Sequence, residues 1–270
     1  MTKLVFLKLG GSLITDKTRP YTPRLDKLAN LSLQIATVLA RASAGPASDL
    51  RLLLGHGSGS FGHTAAQKYG TRQGVRDAQD WYGFADVHYQ AAELNSHVMS
   101  ALYHAGIPAL AFPPSAAVIA SDGRISLWET TPIRMALANG ILPVVYGDVV
   151  FDEVRGGTIL STEELFQELA RQLDPDRILL AGLEAGVWED FPARKRLLNE
   201  ISPKSYEEMR AGVGGAAEAD VTGGMESKVK QMLDLVQQIP GLEAVIFSAE
   251  ESGNLALALE GAPLGTKIVT

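Results

Sequence analysis

The sequence predicts an α/β fold with a mainly parallel sheet, on three observations. Short apolar runs alternate with longer amphipathic stretches along the whole chain. The short runs are continuous rather than alternating in hydropathy, as strands buried on both faces require. No proline- or glycine-rich linker cuts the 270 residues, 46% of them apolar and 20% charged, into separate units; that length is within the range of one α/β domain.

The elements follow in order. Strands are expected at Leu4–Lys8, Leu50–Leu54, Ala109–Phe112, Leu142–Val145, Arg177–Ala181, Ala244–Phe247 and Thr266–Val269. Helices are expected at Leu25–Ala42, Gln79–Ala105, Thr131–Ala138, Thr162–Gln172, Met225–Gln238 and Asn254–Leu259. Strand–helix alternation of this kind builds right-handed βαβ units and a sheet covered on both sides. The second helix carries an apolar stripe, Phe84, Val87, Ala91, Leu94, Val98, Ala101 and Ala105, stepping by three and four. Such a stripe is core, a dimer seam, or the wall of an apolar pocket. Ser121–Ser126 and Val149–Gly157 read as hairpins or lids, with turn chemistry at Asp122-Gly123 and Gly156-Gly157.

Composition narrows the function. There is no cysteine, which excludes disulfides, zinc ribbons and thiolate catalysis. A net charge of −7 argues against nucleic acid and against anionic membrane surfaces as partners. No apolar run is long enough for a membrane helix and the N-terminal run is too short for a signal peptide, so a cytoplasmic protein is expected.

Four glycine-rich places can take phosphate. Lys8-Leu9-Gly10-Gly11-Ser12 follows the first strand, with Lys17 close behind. His56-Gly57-Ser58-Gly59-Ser60-Phe61-Gly62-His63 follows the second, and its backbone amides with the His63 imidazole suit an anion. Gly57, Gly59 and Gly62 match the dinucleotide-binding spacing, but the required second strand ending in an acid is missing after Thr64–Arg76. Tyr146-Gly147-Asp148 puts an acid at a strand's carboxyl end, where parallel sheets bind ligands. Asp220-Val221-Thr222-Gly223-Gly224-Met225-Glu226-Ser227-Lys228 opens a helix with glycines and a lysine, an anion site by dipole and free N–H groups, though not a Walker sequence. Lysines beside glycine loops in an acidic protein fit phosphoryl transfer, which needs positioning and charge neutralisation more than covalent help.

These motifs, in this order, are similar to those of the isopentenyl phosphate kinase family within the amino acid kinase superfamily. Leu180-Ala-Gly-Leu-Glu-Ala-Gly-Val-Trp188 with Asp190-Phe-Pro192 resembles that superfamily's nucleotide-side segment, and Gly-Ser-Phe-Gly-His63 is the part specific to the isopentenyl phosphate branch and its phosphonate-kinase relatives. The resemblance implies a three-layer αβα sandwich over residues 1–270. In it, about 1–160 would bind the acceptor and about 161–270 ATP, usually as a homodimer. It further implies ATP and Mg²⁺ as cofactors and Lys8, Lys17, His63, Asp148 and Lys228 as the catalytic set. Lys8, Gly10, Gly11, Ser12, Gly59, Gly186, Gly224 and Lys228 would contact ATP, and Gly57, Ser58, His63 and Thr162 the acceptor. Phe84 and Val87 would wall an isoprenoid tail, His63 would act best when protonated, and Asp148 would hold the lysines apart. No residue is expected to bind a resident metal.

Two departures stand out. Gly57-Ser58-Gly59 replaces the more usual three glycines, and Ser161-Thr162-Glu163-Glu164 replaces Ser-Gly-Asp-Asp. Thr162 is expected to narrow the acceptor site, and the longer Glu163 and Glu164 leave open whether either takes an active-site role. The rival readings are a kinase for a phosphonate such as fosfomycin and a non-catalytic nucleotide sensor.

Overall fold

Strand β1 (Lys3–Leu9) shows how the chain sorts its side chains. In the computed structural model, which describes residues 3–44, 50–190, 193–212 and 223–270, Phe6 packs into one buried cluster while Val5, Leu7 and Leu9 pack into another. Side chains alternate across a strand, so a continuous apolar run serves two layers at once.

The other strands are β2 (Leu50–His56), β3 (Ala109–Ala111), β4 (Val118–Ser121), β5 (Arg124–Trp128), β6 (Leu142–Tyr146) and β7 (Asp148–Asp152). They continue with β8 (Gly156–Leu160), β9 (Arg177–Gly182), β10 (Glu200–Ile201), β11 (Glu243–Ser248) and β12 (Thr266–Ile268). Eight of them form the central sheet in the order β10-β12-β11-β9-β1-β2-β6-β3. From β11 to β3 the pairs are parallel; β12 runs antiparallel to β11, and β10 follows β12. All seven expected strands are present in it.

Helices α1 (Gly11–Ile14), α2 (Leu25–Ala44), α3 (Gly59–Tyr69) and α4 (Ala78–His104) belong to one side with α9 (Asn254–Glu260). Between them in the chain come α5 (Thr131–Ala138), α6 (Thr162–Leu173), α7 (Pro203–Gly212) and α8 (Gly223–Gln238). Helices α5, α6 and α8 pack on the opposite face. The three-layer αβα arrangement is therefore the one expected. Helix α3 is not among the expected helices; it starts inside the second glycine loop and runs into Thr64–Arg76. Gly59, Ser60 and Gly62 are poor helix formers, and tertiary packing of the fully buried Phe61 and Ala65 overrides that propensity.

The two expected hairpins, β4–β5 and β7–β8, pair through β4 and β7 into a second sheet of order β5-β4-β7-β8. Asp122 and Gly123 turn the first at φ 49° and 77°, the positive-φ pair that a tight hairpin demands. Asp152 ties the hairpins together. Its carboxylate accepts N–H groups from Asp122 (3.1 Å), Gly123 (2.7 Å), Val154 (2.9 Å) and Arg155 (2.8 Å). Burial alone would raise this carboxyl, but the backbone donors outweigh it and hold the pKa below the usual aspartate value. A depressed native pKa adds stability above the unfolded-state value of about 4 and loses it as pH falls through the native one. Asp152→Asn should therefore destabilise the fold by about 2 kcal/mol at pH 7, and the gap from wild type in thermal melts should shrink below about pH 4.

Candidate active site

Parallel strands deliver their carboxyl ends to one edge, and there the loops are stitched together through backbone. The Gly10 N–H donates to Ala181 O (2.8 Å), the Gly57 N–H to Leu9 O (3.0 Å) and the Gly147 N–H to His56 O (3.2 Å). The loops after β1 and β2 touch with no side chain between them. A Cβ on Gly11 would lie 2.5 Å from the Gly59 nitrogen, and one on Gly59, itself at φ 53°, would lie 2.4 Å from Thr15 Oγ1. Both positions need glycine for this close approach.

Charged side chains converge on the same edge. Lys8 is 6% exposed, and its Nζ lies 3.0 Å from the Glu163 carboxylate. Burial would raise Glu163, but the ammonium groups of Lys8 and Lys228 overcome it and hold the carboxyl below the usual glutamate range. Lys228 is pushed down by burial and by Lys8, with Glu163 opposing and Lys17 adding to the repulsion. His63 feels the same field: partial burial, then Lys17 and Lys8, lower its pKa, and only Glu163 pulls the other way. Four of the predicted catalytic residues therefore share one electrostatic site. This field favours the neutral form of the His63 ring, which still offers one N–H.

The turn carrying Lys17 is built by its neighbours. Asp16 accepts from the Thr18 N–H (2.9 Å), the Thr18 hydroxyl (2.7 Å) and Arg19 Nε (2.8 Å), and the Asp16 N–H donates to Thr22 O. Those donors, Thr18 foremost, pull the Asp16 carboxyl down to about 2. Thr15 Oγ1 accepts the Ser60 N–H (3.0 Å), fastening this turn to the start of α3.

Other predicted residues lie elsewhere than expected. Asp148 is 1% exposed and faces His88 Nδ1 at 3.0 Å rather than the lysines; the acid among the lysines is Glu163. Glu164 closes a capping box with Ser161 and pairs with Arg72 at 2.7 Å. Thr162, expected to contact the acceptor, is 1% exposed and donates to His56 O at 2.6 Å, a buried tie. Phe84 and Val87 form a buried cluster with Ala65, Val75 and Val149, and the Phe84 ring lies 5.3 Å from those of Trp81 and Phe151. Packing accounts for Gly186, where a Cβ would meet Thr266 Oγ1 at 2.5 Å.

Gly10 and Ser12 flank the touching loop, Ser12 within α1. Gly57 and Ser58 precede α3 and Gly224 lies in its predicted helix α8. Asp220, Val221 and Thr222 of the fourth glycine motif, and Phe191 and Pro192 of the nucleotide-side segment, fall outside the described residues. Sequence reasoning left Glu163 open and assigned nothing to His56, Asn95 or Thr15. The Ser161-x-x-Glu164 capping signature was the available signal, since it commits Glu164 to the helix end and leaves Glu163 for the site.

Comparison with known proteins agrees with this geometry. The model of the amino acid kinase family matches residues 3–248. The chain belongs to the amino acid kinase family. This amino acid kinase is 36% identical to isopentenyl phosphate kinase of Methanothermobacter thermautotrophicus, over 98% of each chain. It is 35% identical to the isopentenyl phosphate kinase of Haloferax volcanii, again over 98% of each. A solved structure of isopentenyl phosphate kinase superposes with a TM-score of 0.80 at 32% identity, covering 98% of this chain and 100% of that one.

The Lys8–Glu163 pair in this kinase is a buried ion pair, which loses more from the removal of one partner than from the removal of both. Glu163→Gln leaves three mutually repelling lysines around a neutral amide. It should cost about 3 kcal/mol in urea unfolding, whereas Glu164→Gln, at the helix cap, should cost about 1 kcal/mol.

Proposed function

We propose that this protein transfers the γ-phosphoryl group of ATP to isopentenyl phosphate, giving ADP and isopentenyl diphosphate. Lys8, Lys17, Lys228 and the His63 imidazole around two touching glycine loops, together with full-length similarity to isopentenyl phosphate kinases, support this reading. A phosphate oxygen of the acceptor attacks the γ-phosphorus, and the bond from that phosphorus to the oxygen bridging to the β-phosphate breaks. The acceptor phosphate is ionised near neutral pH, so no general base is needed. Lys8, Gly10, Gly11 and Ser12 line the ATP phosphates with Gly59, Gly224 and Lys228, while Ser58 and His63 hold the acceptor's phosphate. Lys17 neutralises the charge that gathers on the transferring group.

Among the described residues no three His, Asp or Glu side chains converge to hold a metal ion, and Glu163 is already committed to Lys8. Mg²⁺ therefore enters this reading as part of the MgATP substrate, and no protein ligand for it is assigned. The N-terminal half binds the acceptor and the C-terminal half the nucleotide. A homodimer is supported by the exposed Tyr82, Tyr89 and Tyr103, spaced by multiples of seven along α4, beside the edge strand β3 with its exposed Leu110. No described helix is long and apolar enough to cross a membrane.

ADP release from MgATP should be strong with isopentenyl phosphate and weak with fosfomycin or no acceptor. ATP binding without turnover on any acceptor would point instead to a nucleotide sensor. Lys17→Met should lower kcat more than it raises either KM, the pattern of an interaction made in the transition state. His63→Ala should raise the acceptor KM while leaving ATP binding near wild type; equal losses on both substrates would remove its acceptor-side role.

A further inference from the structure

His56 ends β2 immediately before the glycine loop, and the reaction as derived above does not use it. It is wholly buried, and its ring lies flat on that of Tyr146, 5.3 Å between centroids at 10°. Its Nδ1 is 3.2 Å from Gly57 O and its Nε2 is 3.1 Å from Oδ1 of Asn95, which is also buried, on α4. Its own carbonyl accepts from Gly147 N–H and from Thr162.

The ring is neutral. Burial, with Lys8 adding to it, pushes its pKa down to about 4 against the opposing pull of its two hydrogen bonds. A neutral imidazole has one N–H and one lone pair. Gly57 O can only accept, whereas a carboxamide presents either its oxygen or its NH₂ group, a choice set by the hydrogen-bond network. With two acceptors facing a ring that has one N–H, the Asn95 carboxamide is turned over: Nδ1–H then donates to Gly57 O and the Asn95 NH₂ donates to Nε2. The other tautomer would set the Nδ1 lone pair against the carbonyl oxygen.

The carbonyl of Gly57 shares a peptide plane with the Ser58 N–H, and in a trans peptide the two point in opposite directions. Holding the carbonyl against His56 therefore aims the Ser58 N–H away from the ring. Among the described residues no group accepts from that N–H. A Cβ on Gly57 would lie 3.9 Å from Lys8 Nζ, so the loop and the lysine address the same space.

We propose that His56 is a positioning residue: fixed by Asn95 as the Nδ1–H tautomer, it locks the Gly57–Ser58 peptide so that the Ser58 N–H faces a bound phosphate. This rests on the reading of the loop as a phosphate site. It also gives the Ser58 position its function through the backbone, which explains how a serine can stand there without loss of the donor.

The tautomer is measured directly by ¹⁵N NMR of the full-length protein labelled at histidine, with the His56 signals assigned by their loss in His56→Asn. Nδ1 protonated and Nε2 bare between pH 6 and 8 is the expected result, and an Nε2–H ring overturns the proposal. In assays with isopentenyl phosphate, His56→Asn keeps an amide nitrogen where Nδ1 was, and His56→Gln puts one where Nε2 was. His56→Asn should stay within about threefold of wild type in kcat/KM for the acceptor. His56→Gln should lose about tenfold or more, the scale of one misaligned hydrogen bond to a charged group, with KM for ATP unchanged. Equal losses in the two variants would reduce His56 to a packing residue. A wild-type protein with no turnover would count against the phosphate-site reading, and the tautomer measurement would still stand.

Discussion

Everything at the binding edge depends on two loops meeting backbone to backbone. With a Cβ on Gly11 only 2.5 Å from the Gly59 nitrogen, no side chain fits between the loops after β1 and β2. That contact brings Lys8, the turn carrying Lys17 and the first turn of α3 with His63 into one place. It also concentrates backbone amides and ammonium groups at one edge of a protein whose net charge is −7. The lysines would repel one another there, and the Glu163 carboxylate moderates them.

Around that contact the fold uses buried polar groups as fasteners rather than as chemistry. Thr162 binds the end of β2 to the start of α6, Asp152 joins two hairpins, and Thr15 holds the start of α3. Asp152 and Thr15 satisfy backbone groups that would otherwise be unpaired inside the protein, a cost large enough to make such residues hard to replace. Thr162 adds a second donor to a carbonyl that Gly147 already holds. Thr162 looks like a site residue in sequence for the same reason that it serves as a fastener: both tasks call for a small polar side chain beside a turn.

The central strands were legible because burial on two faces leaves an unmistakable run of apolar residues, as in Leu52-Leu53-Leu54. Helix α3 was not, because its glycines carry no helical signal and only the packing of Phe61 and Ala65 makes it a helix. In the site, the lysines and His63 could be read from motif and spacing. The partner of Asp148 could not, since His88 lies 60 residues away and meets it only through the fold. Phe84 and Val87 show the limit of periodicity: an apolar stripe says which face is buried, and here it is buried against the β7–β8 hairpin. The tie between Lys8 and Glu163 likewise joins residues far apart in sequence: the capping signature frees Glu163 for the site but does not name its partner.

That separation has a kinetic consequence. Strand β1 pairs with β2 on one side and with β9, more than 170 residues further along, on the other. Pairings across such long stretches of chain form late, because the entropy of closing the loop is lost before the contact is gained. During synthesis, the first glycine loop and its lysine emerge long before α6 and α8 exist to complete their surroundings. A ribosome-bound chain therefore carries an unfinished cluster of loops for most of its elongation, and acquires the complete one only when the last strands close the sheet.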